Sequence, residues 1–128
     1  MITAFLVACV SETSGPGPAP IDSAQALEQR VSLVRQYIGA GDWENAKRNL
    51  ELAAAIDSDN ADVLEAFALV YQSTGEFELA ESNFKEALDA GAGSRAQNNY
   101  AAFLYTQGRY LEAAAAFREV TADPLYSG

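Results

Sequence analysis

Residues 98–117 read NNYAAFLYTQGRYLEAAAAF. Alanine and leucine on both sides favour helix, yet Gly108 stands in the middle of the run, where glycine costs roughly 1 kcal/mol relative to alanine. The same arrangement occurs twice upstream, as QYIGAGDWENAKRNLELAA around Gly41 and VYQSTGEFELAESNFKEAL around Gly75. A residue that is unfavourable inside a helix and recurs in register reads as the end of one helix and the approach to the next.

The register extends well beyond the glycines. Gly75 follows Gly41 by 34 residues and Gly108 follows Gly75 by 33. Two positions after each glycine stands an aromatic residue (Trp43, Phe77, Tyr110), and five after it an alanine (Ala46, Ala80, Ala113). A large apolar residue follows at nine (Leu50, Phe84, Phe117) and a smaller one at twelve (Ala53, Ala87, Val120). Seven positions before each glycine lies Val34, Ala68 or Ala101. Antiparallel helix pairs explain the alternation, because small residues sit where helix axes approach and large ones where they diverge.

The spacing is the tetratricopeptide (TPR) length. The expected fold is therefore all-α, a right-handed TPR superhelix of three antiparallel helix pairs. Helices are expected over 24–39, 43–56, 61–73, 77–90, 95–107 and 111–121, with N-caps at Ser23, Asp42, Asn60 and Ser94. The repeats fall at about 24–60, 61–94 and 95–124, within a domain covering 23–128. The aromatic two positions after each glycine is expected to pack as a buried ring over the hairpin corner, where truncation to alanine costs about 3–5 kcal/mol.

Composition narrows the function classes. The chain of 128 residues carries 18 acidic and 8 basic side chains, a formal net charge of -10 with no local basic cluster, which disfavours nucleic acid as a partner. With no histidine and a single cysteine, Cys9, it cannot assemble an internal disulfide, a Cys/His zinc site or a histidine-based hydrolase triad. No phosphate-binding glycine loop is present and no carboxylate pair stands out, so an enzyme is not expected, and neither is a cofactor, a metal or a small-molecule substrate.

The segment MITAFLVACVSETSGPGPAP changes character at Cys9, from an apolar run to a Pro/Gly/Ser-rich stretch suited to a tether. Leu6-Val7-Ala8-Cys9 resembles a bacterial lipobox, in which the cysteine becomes the acylated first residue of the mature protein. Residues 1–22 are accordingly expected to be a truncated lipoprotein leader and tether, with lipidation at Cys9 and membrane attachment by the lipid anchor only. No Lys or Arg precedes the short apolar run, as a leader requires. The alternative is an unmodified thiol at an apolar terminus and a cytoplasmic protein.

In stacked repeats the first helix of each pair lines an inner groove, since a solenoid acts through its surface. Spacing places Val31, Arg35 and Ile38 there from the first pair, Glu65, Leu69 and Gln72 from the second, and Asn98, Ala102 and Tyr105 from the third. TPR domains that clamp a terminal carboxylate use basic and amide side chains where Leu69 and Ala102 stand, so such a clamp is not expected. A groove of apolar and amide groups with one cation, Arg35, suits a helix or extended segment of a protein partner.

The stretches RNLELAAAIDSDNADVLEAFALVYQSTGEFELAESNFKEAL and NNYAAFLYTQGRYLEAAAAFREVTADPLYSG resemble the type IV pilus biogenesis and stability lipoprotein, the secretin pilotin. The resemblance covers residues 24–128 and is most specific at Asn98-Asn99-Tyr100, Gln107-Gly108-Arg109-Tyr110 and Asp123-Pro124-Leu125-Tyr126. It implies a lipid-anchored assembly factor on the periplasmic face of the outer membrane, whose partner is a pilus secretin subunit. Val10 after the cysteine fits outer-membrane delivery on the same grounds. A general periplasmic TPR adaptor for other envelope or secretion machinery is the alternative. The resemblance also implies more repeats, so the chain is expected to be a fragment, with an apolar flank of Ala114, Phe117 and Val120 left at the end of the third pair.

Overall fold

No proline occurs between residues 22 and 122, and six runs rich in alanine, leucine and glutamate are separated by short polar or glycine-bearing segments. Each run is a helix in the computed structural model, which describes residues 22–122. The order is α1 (Ser23–Gly39), α2 (Trp43–Ile56), α3 (Ala61–Ser73), α4 (Phe77–Asp89), α5 (Ser94–Thr106) and α6 (Tyr110–Ala122). Every boundary lies within one residue of the expected position. Cys9, the tether and the Asp123–Tyr126 motif lie outside the described residues.

The helices form three tightly packed antiparallel pairs, α1 with α2, α3 with α4 and α5 with α6, stacked as a TPR-like superhelix. Lighter contacts of α3 with α1 and α2, and of α4 with α5, join successive pairs. The glycines close each pair. At Gly75, φ is +79°, its N–H donates to the Gln72 carbonyl (3.2 Å), and the Glu76 N–H reaches back to the Tyr71 carbonyl (2.9 Å). This left-handed glycine cap satisfies carbonyls that a helix end otherwise leaves open. Gly41 and Gly108 make the same pair of bonds.

The links between pairs use two different devices. Between α4 and α5 a further glycine, Gly91, repeats the left-handed cap, with φ +95°. Between α2 and α3 the chain leaves the helix through extended Asp57, and Asn60 caps α3 by accepting from the Asp62 and Val63 amides. Asp42 caps α2 as expected, and the Asn45 side-chain and backbone bonds to it hold its carboxyl below the ordinary range. The other two cap expectations are corrected: Asp22, not Ser23, caps α1, and Gly93 occupies the cap position of α5 with Ser94 already helical. Both serines are displaced by one position because helical geometry begins one residue earlier than the apolar periodicity does.

The core is divided between two clusters. Val31, Val34, Ala46, Leu50, Ala53, Val63, Ala66 and Val70 form the first; Ala68, Ala80, Phe84, Ala101, Phe103, Leu104, Ala113 and Ala116 form the second. α3 supplies residues to both, Ala66 to one and Ala68 to the other, so it is the joint between them. Phe84 is fully buried, its ring tilted against those of Tyr100 (5.7 Å) and Phe103 (5.5 Å).

The aromatic residues after the glycines do not behave as expected. Trp43, Phe77 and Tyr110 are 36 %, 44 % and 61 % exposed, so the buried-ring expectation is corrected. Each stands at the first position of its helix, at the end of the pair. In α6, Phe117 is 36 % exposed whereas its counterparts Leu50 and Phe84 are fully buried, because no further helix packs beyond it among the described residues. Ala114 is exposed with it, but Val120 is buried at 3 % and does not belong to that flank.

An ion cluster ties α4, α5 and α6. Glu81 accepts from Arg109 (2.7 Å) and the Tyr100 hydroxyl (3.1 Å) and pairs with Lys85 (3.0 Å), while Arg109 also pairs with Glu112. The Arg109 bond, opposed by burial, holds the Glu81 carboxyl at about 2, and burial together with Glu81 pushes Tyr100 up to about 12.

Two outcomes follow from these features. A Cβ added at Gly75 meets no atom within 4 Å, so Gly75→Ala carries a torsional penalty alone, expected at about 1–2 kcal/mol of stability in denaturant unfolding. Glu81 has a folded pKa of about 2 against an ordinary 4.5, so its contribution is present above the ordinary value and lost as pH falls from there toward about 2. Stability measured across that window is expected to fall less steeply in Glu81→Gln than in the parent.

Candidate functional site

The inner face is assembled by α1, α3 and α5 and holds a hollow of about 100 Å³. Arg35, Ile38, Asp62, Glu65, Ala66, Leu69, Arg95 and Asn99 line it. Ile38, Ala66 and Leu69 make the floor apolar, and the charged side chains stand around it.

Those charges form one connected network. Asp62 Oδ1 accepts from Arg35 of α1 (2.6 Å) and from Arg95 of α5 (3.0 Å). Arg95 also donates twice to Glu65, at 3.2 and 2.5 Å, in a two-pronged contact suited to the planar guanidinium. Asn99 donates to the same Glu65 carboxylate (2.8 Å). Glu65 is 3 % exposed, so an unpaired charge there would be costly; three donated bonds from α5 supply the compensation. Its bonds to Glu65 hold Arg95 further in its charged form than an ordinary arginine, against the opposing effect of burial. Among the described residues no buried side-chain nitrogen or oxygen lacks a partner.

The nine side chains placed in the groove from spacing divide into three groups. Arg35, Ile38, Glu65 and Leu69 meet at the hollow. Val31 is 4 % exposed and belongs to the first core cluster, while its edge lines a neighbouring depression with Arg35 and Asp62. Gln72 is half-buried, Asn98 and Ala102 are exposed, and Tyr105 is 60 % exposed, meeting Tyr110 edge-on at 5.1 Å.

Spacing missed Asp62, Arg95 and Asn99, so the expectation of a single cation is corrected to two, Arg35 and Arg95. A signal was present in the repeat. Arg95 stands 33 positions after Asp62, the interval that separates Gly108 from Gly75, so opposite charges occupy equivalent first-helix positions in neighbouring repeats; Asn99 is equivalent to Ala66 in that register and carried no such signal. Of the asparagine pair, Asn99 faces inward and Asn98 is exposed.

No family model matches the sequence. The type IV pilus assembly protein PilF of Pseudomonas aeruginosa is 35% identical over 130 residues, an alignment covering 98% of this chain and 51% of PilF. The solved structure of Pseudomonas aeruginosa PilF superposes with a TM-score of 0.76 at 36% identity, over 81% of this chain and 47% of that one. The chain is homologous to PilF. An uncharacterized protein of Haemophilus influenzae is 28% identical over 120 residues, 93% of this chain and 65% of its own length. The chain spans about half the length of PilF, and the shared part is the helical scaffold described above.

In this PilF homologue the network does structural duty as well as shaping the groove. Arg95→Ala leaves Glu65 buried with Asn99 as its remaining partner, and stability is expected to fall by about 1–3 kcal/mol in chemical denaturation. Adding Glu65→Gln is expected to cost less in the Arg95→Ala background than in the parent, because the two side chains act as one unit.

Proposed function

We propose that the chain is a pilotin-like, non-catalytic scaffold that holds a pilus secretin subunit on the inner face of its superhelix and assists secretin assembly at the outer membrane. The observation that carries this reading is 35% identity to a type IV pilus assembly protein across nearly the whole chain, on a fold whose exposed concavity is built from the first helices of three successive pairs. The chemistry of the hollow agrees with a polypeptide ligand. Its floor is apolar and its charges are mutually neutralised, two guanidiniums against two carboxylates, which suits side-chain insertion by a docked segment.

The same reading assigns Cys9 as the acylated residue that anchors the protein to the periplasmic face of the outer membrane. No helix among the described residues is long and apolar enough to cross a membrane. Acyl chains contribute about 0.8 kcal/mol per buried methylene, so several chains on one cysteine suffice for stable attachment. Mass spectrometry of the mature N-terminus, expressed from the natural reading frame, is expected to show a diacylglyceryl cysteine.

The inner face is tested with Leu69→Glu combined with Tyr105→Glu. Leu69 lies on the floor of the hollow and Tyr105 is open to solvent on the same row of helices, so helix content is expected to be retained by circular dichroism. Capture of the secretin in a pull-down is expected to be lost. Unchanged capture removes the inner face from the proposal.

A further inference from the structure

The two junctions between successive pairs are built differently. At the first, α3 packs closely on both helices of the pair before it, α1 and α2. At the second, α5 packs closely on α4 and has little backbone contact with α3. Side chains span the inner side of this junction instead: Arg95 and Asn99 of α5 reach Glu65 of α3, and Arg95 also reaches Asp62. The outer side is an aromatic seam, in which Phe103 of α5 lies against Phe77 (6.3 Å) and Phe84 (5.5 Å) of α4. The Tyr100 hydroxyl and Arg109 fasten the same side to Glu81.

The links between pairs differ in the same sense. The first is tied by its own side chains, Asp57 accepting from the Asp59 amide (3.0 Å) and Asn60 from the amides of Asp62 and Val63. The second reads Gly91-Ala92-Gly93, with no side chain able to form such a bond, and Gly93 begins α5 without a side-chain cap. A link of this composition takes up backbone rotation at little cost. An open hollow of about 220 Å³ lies against it, walled by Leu88 of α4 and by Gln97, Glu119 and Val120 of the third pair. The link therefore has free space beside the helices it carries.

Seam and span respond unequally to separation. Parting the seam exposes apolar rings, at a cost proportional to their area. Parting the span returns the Glu65 carboxylate and the Arg95 guanidinium to water, and hydration offsets much of the attraction that is lost. The Arg95–Asp62 pair, half-exposed on both sides, adds little resistance. The inexpensive movement is thus a rocking of α5 and α6 about the seam, with the inner side parting. Arg95 and Asn99 form the α5 wall of the inner hollow, so this movement widens it above its floor of Ile38, Ala66 and Leu69.

We propose that the third helix pair rocks on α4, and that Glu65, Arg95 and Asn99 are the catch that keeps the inner face narrow and releases to admit a bound segment. The role in admission rests on the inner face being the partner-holding surface, as proposed above. The movement belongs to the free chain and is measured without a partner.

The test is pulsed electron paramagnetic resonance on the full chain in a Cys9→Ser background, with spin labels at Gln36→Cys of α1 and Ala102→Cys of α5, both exposed positions. A second labelled pair, Gln29→Cys and Ser73→Cys, spans only the first junction and serves as the control. In the parent the longer Gln36–Ala102 distance is expected as a minor population, about 10 % or less. Arg95→Ala with Asn99→Ala leaves Glu65 buried without its donors when closed and hydrated when open, so the longer distance is expected to become the larger population. Glu65→Gln keeps the side chain's size and is expected to shift the distribution the same way, to a smaller extent. Gly93→Ala fits the backbone there (φ -85°) and its Cβ meets no atom within 4 Å, so it is expected to narrow the link's range and reduce the longer population.

An unchanged Gln36–Ala102 distance in Arg95→Ala with Asn99→Ala, accompanied by lower stability in denaturant, would make the network a structural tie only and overturn the proposal. Equal broadening of the Gln29–Ser73 control would mean general loosening and overturn it as well. Either result leaves the partner reading standing, because that reading is decided by secretin capture in the Leu69→Glu with Tyr105→Glu variant.

Discussion

The structure rests on the close approach of paired helices at small side chains. Val34, Ala68 and Ala101 on the first helices, and Ala46, Ala80 and Ala113 on the second, are each at most 1 % exposed. A larger residue at any of these crossings would separate the axes and open the interior to water, and overpacking of this kind costs about 1–3 kcal/mol even where the structure adjusts. Because the crossing recurs in each pair, every pair takes nearly the same shape, and similar units stack. The hairpin glycines serve the same constraint: a left-handed cap reverses the chain in the few residues that close packing leaves available.

Stacking then decides what the outer faces can do. α3 gives one side to each core cluster and a third side to the inner face, so the residues that remain for function on that helix are few. Glu65 shows the tension most clearly. It sits on the inner row but is almost fully buried, and Arg95 and Asn99 neutralise and bind it from the next pair. The charged side chains of the inner hollow consequently neutralise one another, two guanidiniums against two carboxylates.

The similarity to PilF fits this arrangement. A scaffold of stacked helical pairs is held by packing that many side chains can supply, and the shared fold persists at 36% identity with a TM-score of 0.76.

Helix number, boundaries to within one residue, and pairing were all legible in the sequence, because glycine position and the spacing of small residues are local facts governed by backbone torsion and by the helical period. The same signals placed Arg35, Ile38, Glu65 and Leu69 on one face. Two matters were not legible. Whether Trp43, Phe77, Tyr110 and Phe117 are covered depends on what packs beyond each pair, and spacing within one repeat carries no information about that. The partnership of Asp62 and Glu65 with Arg95, and the inward turn of Asn99 in place of Asn98, arise only when neighbouring pairs are superposed at a particular twist. The sequence by itself determined the repeating unit, through torsional and steric preferences acting over a few residues; only the tertiary structure decided how the units face one another, because electrostatic pairing and burial between them depend on distances set by the stack.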